Sequence, residues 1–339
     1  MKKTVVPALT LFVLSLLLFA ATGAMAATQW KFATLAPKNV GWANQFRELI
    51  IPWANEATGG EVFFKVYWGG IMGNDDDYLK KMRIGQIEGA GMTGRGANLA
   101  CHEFSVIGLP FLFENYEEVD YVRGKMYSTF DEYFASHGYK LVMWIDQDFD
   151  QFYSTKWKFD NLGDFARARI VTWYGPQEAA MLQALGATPI SVGVPEVSTT
   201  VRTGVADTNI APSIWQVGSQ LYATSRYVNT MKIRYSPAVI MVSREAWNSL
   251  SEKHKKAMDA TRQELGARFC AGIRKDNAAC LQAMLEYGVR KVELTPEELA
   301  PIRERALTVY DDFSGSLYPP DLLEEVQRHL REFRDNRSR

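Results

Sequence analysis

The sequence predicts an α/β protein of two lobes with one long helix laid across both, and three observations carry that prediction. The first is the stretch Ala168 to Val192, A-R-I-V-T-W-Y-G-P-Q-E-A-A-M-L-Q-A-L-G-A-T-P-I-S-V. It alternates and is β-branched to Trp173, breaks at Gly175, and places Pro176 where a first helical position tolerates a missing N–H. A helical face of Ala179, Ala180, Leu182 and Leu185 then ends at Gly186, and a second strand starts at Thr188. That is a parallel strand–helix–strand crossover of near-minimal length. The second observation is size: about 313 residues follow a cleavable leader, more than one hydrophobic core commonly supports. The third is an apolar series at Met258, Leu265, Phe269, Ile273, Cys280, Met284 and Tyr287. A continuous helix of about 36 residues there would be ~54 Å long, beyond one domain's diameter, so it must cross both lobes.

The leader itself is Met-Lys-Lys, an apolar run from Val5 to Ala21, and Ala24-Met25-Ala26. This reads as a secretory signal peptide over residues 1–26, and no later stretch reaches ~18 uninterrupted apolar residues. Its removal takes Lys2 and Lys3 and moves the formal charge from −1 to −3. Near balance argues against a nucleic-acid partner. Of the three cysteines, Cys270 and Cys280 stand ten apart on one expected helix, ~15 Å in rise, and cannot bond. Any disulfide would need Cys101; buried free thiols are the expected state.

In order, the chain reads as a strand at Trp30–Thr34, a helix at Trp42–Ala57 that Pro52 kinks, and a strand at Val62–Tyr67. Asn74 is an N-cap, and Asp75, Asp76 and Asp77 form a solvated first turn rather than a metal cluster. Gly89-Ala-Gly91-Met-Thr-Gly94 matches G-x-G-x-x-G, with Glu114 twenty residues on. The glycines fall inside the only available strand, so the dinucleotide reading is rejected on context. Helix 117–136, strands 139–145 and 149–154, a helix at 195–203, a strand at 205–210, a helix at 213–222 and a strand at 234–243 come next. Ser249-Leu-Ser-Glu252 and Thr295-Pro-Glu-Glu298 are expected capping boxes, and Leu322, Leu323, Val326, Leu330 and Phe333 stripe a last helix.

Arg169 is the residue singled out for function. A guanidinium in an apolar strand must be paired or reach a cleft, and under period-two alternation it shares a face with Val171 and Trp173. Its planar fork suits a carboxylate on an apolar body, with a structural ion pair as the competing reading. No H-E-x-x-H, no G-x-S-x-G, no Walker loop and no Cys–His pair is visible, and His102, His137, His254 and His329 are scattered. No cofactor, metal site or catalysis is expected.

Four ordered blocks carry a resemblance: G-I-M-G-N-D-D-D-Y-L at 70–79, I-G-L-P-F-L-F at 107–113, the 168–192 unit, and E-V-S-T-T-V-R-T-G-V-A-D at 196–207. Together they resemble the DctP-type substrate-binding proteins of TRAP transporters. The resemblance implies a two-lobed periplasmic-binding-protein-like fold, an organic carboxylate as solute, and a membrane permease of a small and a large subunit as partner. It implies that Arg169 bridges the solute carboxylate and that Thr93 and Arg95 face the cleft. It further implies lobe I at 27–147 plus 238–275 and lobe II at 148–237 plus 276–339. Two departures stand out. Asp150 takes the place where relatives that bind acidic sugars and dicarboxylates carry an arginine, and Ala211, close after Asn209, replaces a family asparagine. With Phe149, Trp173, Trp215 and Tyr235 expected at the cleft, the solute implied is a monocarboxylate with a flat or apolar body, such as an aromatic amino or keto acid. A secreted hydrolase or lyase on a similar fold and a ligand-sensing periplasmic protein are the alternatives.

Overall fold

The computed structural model describes residues 28–337, so the leader reading lies outside the described residues. Among them no helix is long and apolar enough to cross a membrane. Nine strands among the described residues form one mixed sheet: β1 (Thr28–Thr34), β2 (Val62–Tyr67), β3 (Gly89–Thr93), β4 (Tyr139–Ser154), β5 (Arg169–Thr172), β6 (Thr188–Ser191), β7 (Thr208–Ala211), β8 (Tyr227–Ser243) and β9 (Arg290–Val292). Their order is β2-β1-β3-β8-β4-β7-β5-β6, with β9 on β8. The two segments expected at 139–145 and 149–154 are a single strand, because β4 stays paired with β8 throughout. These two antiparallel strands run through both lobes. Parallel β1, β2 and β3 extend the sheet on one side, and parallel β5, β6 and β7 extend it on the other.

The helices that matter for the site are α1 (Asp75–Arg83), α2 (Gly94–Ala100), α3 (Tyr116–Ser136), α4 (Pro176–Ala184), α5 (Ser213–Gly218), α6 (Glu252–Tyr287) and α7 (Pro320–Arg337). Asn74 caps α1 in a full capping box with Asp77. Ser251, not Ser249, caps α6, accepting from the His254 N–H at 3.2 Å; Ser249 instead ends the short helix before it. The expected kink at Pro52 appears as a π-turn over Phe46–Ile50. Proline offers no N–H and its ring crowds the carbonyl four residues back, so the ladder widens there.

The long helix spans both lobes as its length requires. Met258, Leu265, Phe269 and Ile273 pack in the first lobe's core with Trp30, Phe32 and Phe46. Met284 packs with Tyr153, Ala211 and Val228 of the second. Between them Asn277 donates to the Gln147 carbonyl at 2.7 Å and accepts from the Ile214 N–H at 2.8 Å. The boundary expected at 276–339 needs correction. Tyr318, Leu322, Val326 and Leu330 share a core with Val119, Val122 and Met126, so α7 returns to the first lobe, where Arg334 pairs with Glu118 at 2.8 Å. The amphipathic stripe of α7 could be read from sequence; the lobe that buries it could not.

The glycine motif is explained by packing. A Cβ at Gly89 would collide with the Phe32 ring, and one at Gly91 with the Trp42 ring. The glycines of β3 therefore admit aromatic rings, not a pyrophosphate. Directly after β3 the chain forms α2, with Thr93 as its N-cap.

Three buried acids set the pH dependence of stability. Burial pushes Asp148 up to about 7 against the hydrogen bond from Tyr116. Burial likewise pushes Asp75 up to about 6 against Thr93, and Asp150 up to about 6 against Arg234. Each binds its proton more tightly folded than unfolded (unfolded value ~3.9), so folding takes up protons between about pH 4 and 7 and stability falls as pH rises through that window. Each group contributes at most about 1.4 kcal/mol per pH unit. The melting temperature should be higher at pH 5.5 than at pH 8, and Asp148→Asn should flatten the dependence. A melting temperature that climbs from pH 5.5 to 8 would contradict this.

Candidate functional site

The carboxyl ends of the parallel strands from both halves of the sheet face one another, which is where open α/β sheets place their ligands. Leu35 and Pro37 after β1, Met92 and Thr93 at the end of β3, Trp173 after β5, Val194 and Val197 after β6, and Pro212, Ile214 and Trp215 after β7 line a cleft of about 750 Å³ including its mouth. Trp42, Gln147 and Ala238 complete it. The lining is aliphatic and aromatic, with Thr34, Thr93 and Gln147 as its polar side chains and no charged residue among the described residues.

Trp173 and Trp215 line this cleft, as positions at strand ends would. Trp173 is oriented by its indole N–H, which donates to the Ile210 carbonyl at 2.8 Å. Its backbone is held by Glu178 in the first turn of α4, whose Oε2 accepts from Trp173 N–H at 3.0 Å, Tyr174 N–H at 3.1 Å and the Thr172 hydroxyl at 2.7 Å. Thr93 also lines the cleft, but its hydroxyl donates to buried Asp75 at 2.5 Å and accepts from Gly96 N–H at 3.3 Å. Arg95 stands beside them. One Nη donates to the Trp173 carbonyl at 3.5 Å, the other lies 3.6 Å from Asp76, and buried Nε has no hydrogen-bond partner among the described residues. Its guanidinium touches both lobes and is only weakly engaged.

Arg169 is not in the cleft. It is the first residue of β5, at the opposite end from Trp173 and ~13 Å along the strand. Its side chain is 46 % exposed, donates to the Gly204 carbonyl at 2.8 Å and lies 3.9 Å from Asp207. The structural ion pair holds here, and the carboxylate role that the resemblance implied does not, because a side chain at the amino end of a parallel strand leaves the sheet away from the cleft. Phe149 and Tyr235 are corrected too. Both are in the first lobe's core, their rings 5.8 Å apart, and the Tyr235 hydroxyl donates to Asp146 at 2.6 Å. Asn209 is buried against Gln216, donating at 2.9 Å, and Ala211 packs with Tyr153 and Met284.

Asp150 is paired within the protein. It sits across the ladder from Arg234 on β8, and Arg234 Nε donates to it at 3.1 Å. Arg234 also lies 2.9 Å from Glu178 and stacks 3.7 Å above the Tyr174 ring, with its side chain 2 % exposed. Burial opposes its charge, yet Glu178 and Asp150 hold it protonated above the usual value. Tyr174 reaches into the other lobe, where a Cβ at Gly94 or Gly108 would come within 2.5 Å of its ring or hydroxyl. The reasoning applied to Arg169 fits Arg234 better, since Arg234 opens the apolar run 234–243; its partners lie 84 and 56 residues away in sequence and gave no local signal. Gln147 was missed as well. It lines the cleft and its Oε1 accepts from Gly94 N–H and the Ser236 hydroxyl, each at 3.3 Å.

Comparison with known proteins agrees with this architecture. Residues 32–316 match the family described as DctP, bacterial extracellular solute-binding protein, family 7. The C4-dicarboxylate-binding periplasmic protein DctP of Rhodobacter capsulatus is 26% identical over 285 residues, covering 82% of this chain and 83% of its own. A solved sugar acid-binding protein from Advenella mimigardefordensis, in complex with galactonate, superposes with a TM-score of 0.84 at 18% identity, covering 91% of this chain and 99% of that one. A TRAP periplasmic solute-binding protein from Desulfovibrio salexigens, with bound orotic acid, gives 0.83 at 19% identity over 90% and 99%. With its family match spanning most of the sequence and its two lobes meeting at a strand-end cleft, this chain belongs to the DctP family of solute-binding proteins, the non-catalytic receptors of TRAP transport.

Proposed function

We propose that the chain is an exported, periplasmic receptor whose cleft takes an organic monocarboxylate with a flat or apolar body and hands it to a TRAP permease of small and large membrane subunits. The carrying observation is the cleft's lining: Trp42, Trp173 and Trp215 among aliphatic side chains, with no charged group from the described residues inside. A polyhydroxylated acid would leave most of its hydroxyls without partners there, at a cost that apolar burial avoids. Arg95 stands outside the lining, beside Thr93 and Trp173, and its weakly engaged guanidinium is the cation best placed to swing onto a carboxylate at the cleft's edge. Arg234 is already neutralised by Asp150 and Glu178. The same fold holds a flat ring acid in the orotic acid complex of the Desulfovibrio relative.

This reading entails lobe closure. The β4–β8 ladder shifts register between Asp146 and Asp148 and again between Asp150 and Phe152, where the two strands pass from one lobe to the other. We place the hinges there and near Asp276 on α6, with lobe I comprising 27–147 and 238–275 joined by α7, and lobe II the remainder.

Calorimetric titration with a set of acids tests the reading. An aromatic or branched aliphatic monocarboxylate should bind and raise the melting temperature, by ~2.7 kcal/mol of apparent stability at a hundredfold excess over Kd, while hexonates and C4-dicarboxylates should not. Selective binding of a hexonate would overturn it. Arg95→Ala should weaken the bound acid by about 1.5–3 kcal/mol, the worth of a hydrogen bond to a charged group, and Arg169→Ala should leave affinity unchanged. Trp215→Ala should weaken an aromatic acid by about 0.5–1.5 kcal/mol more than an aliphatic one, with equal losses refuting ring stacking at this wall. Small-angle scattering should register a smaller radius of gyration at saturating solute; an unchanged value would remove hinge closure.

A further inference from the structure

Away from the cleft, the first lobe gathers four side chains of metal-ligating type, three consecutive in sequence and the fourth 34 residues on. Cys101 ends α2, His102 and Glu103 open the 3-10 turn after it, and His137 ends α3. The Cys101 thiol donates to Glu103 Oε2 at 3.3 Å, and His137 Nε2 lies 2.9 Å from Oε2 and 3.2 Å from Oε1 of the same carboxylate. One ligand atom each from Cys101, Glu103 and His137 fall within 4.8 Å of one another. His102 stands at the edge of this set of three, its Nε2 3.6 Å from Glu103 Oε1 and its ring edge-on to His137 at 5.1 Å between centroids, so that it would have to close in to serve as a fourth ligand.

These separations are close to those of ligands around a tetrahedral zinc ion. Metal–sulfur, metal–nitrogen and metal–oxygen distances of about 2.3, 2.0 and 2.0 Å give ligand–ligand edges of about 3.3–3.6 Å. The sulfur–oxygen and both nitrogen–oxygen edges already stand within a few tenths of an ångström of that. A second observation points the same way. His102 Nδ1 is 2.7 Å from the Leu317 carbonyl, which accepts only, so Nδ1 carries the proton. In the neutral ring Nε2 then presents its lone pair toward the Glu103 carboxylate, an arrangement that favours a cation between them. A ligating histidine whose other nitrogen is fixed by a backbone carbonyl is the usual outer arrangement of zinc sites.

We propose that Cys101, His102, Glu103 and His137 form a zinc site that pins the end of α2 to the end of α3 and, through the His102–Leu317 hydrogen bond, to the segment leading into α7. Binding replaces the thiol proton of Cys101, which leaves to solvent, and the neutral His137 ring ligates through Nε2 with its one proton carried on Nδ1; no redox change is involved. Thiolate and imidazole donors together select zinc over calcium or magnesium. The sequence hid the site, because Cys101–His102–Glu103 lies 34 residues from His137 and shows no metal-ligand spacing.

The test adds zinc chloride, and separately cobalt(II) chloride, to the chelator-treated mature chain. One equivalent of zinc should be retained through gel filtration and raise the melting temperature, and cobalt should give a thiolate-to-metal charge-transfer band. Half-exposed His137→Gln should lower zinc affinity at least a hundredfold while circular dichroism stays native, and Cys101→Ser should abolish the charge-transfer band. Failure to retain zinc, or retention unchanged in His137→Gln, would overturn the proposal. So would a cobalt spectrum without thiolate character in the parent chain.

Discussion

Asp146 ties three elements of the first lobe to the strand that leaves it for the second, and much of the molecule depends on how its charge is held. It is fully buried on β4, at the point where that strand leaves the first lobe. Arg123 of α3 pairs with it, Arg274 of α6 donates at 2.7 Å, and the Tyr235 hydroxyl of β8 donates at 2.6 Å. Burial pushes the carboxyl up, but the two guanidinium groups and Tyr235 bring it below the usual carboxylate range. An ion this buried is tolerable only when every lone pair is met, and removing one partner of such a group typically costs about 3–5 kcal/mol. Asp120 completes the set by accepting from Arg274 at 2.6 and 2.7 Å. One carboxylate thus fixes strand, helix and long helix in a common frame, and the cleft opens just beyond, at Gln147.

A second buried network builds the far wall. Glu178 collects the N–H groups of Trp173 and Tyr174 at the end of β5, and Arg234 compensates Glu178 and Asp150 together. Its consequence is mechanical: Trp173 is presented to the cleft on a backbone that cannot fray, while Tyr174 is pressed into the opposite lobe between Gly94 and Gly108. The arginine here works as support for an aromatic wall. This agrees with the departure at Asp150, where the acid sits on β4 and its guanidinium partner on the neighbouring strand, a cross-ladder pairing that neutralises both.

Elements with strong local signals were legible in the sequence. β2 has the bounds its alternation and flanking glycines imply, β3 is the strand in which the glycines were expected to fall, and α6 has the 36 residues its apolar series demands. Thr93, Trp173 and Trp215 reach the cleft because position at a strand's carboxyl end suffices to place them. What failed was the choice between two arginines that satisfy the same statement about charge in an apolar strand. Arg169 and Arg234 differ in where the strand begins and in which residues cross the ladder, and those are long-range facts. Phe149 and Tyr235 failed for a related reason, since aromatic side chains on strands that cross between lobes have a core on either side to fill, and Asn209 failed because Gln216 engages its amide inside the second lobe. Two strands changed length as well, β4 by joining two expected segments and β8 by extending from the expected 234–243 back to Tyr227, since tertiary pairing overrides local propensity.

The most direct measurement is a crystal structure of the mature chain with its bound monocarboxylate. The expected result is a closed cleft with the acid's oxygens within hydrogen-bond distance of Arg95 and its body between Trp173 and Trp215. A carboxylate seated on Arg234 with Tyr174 displaced, or on Arg169 at the other end of β5, would contradict the assignment of the site.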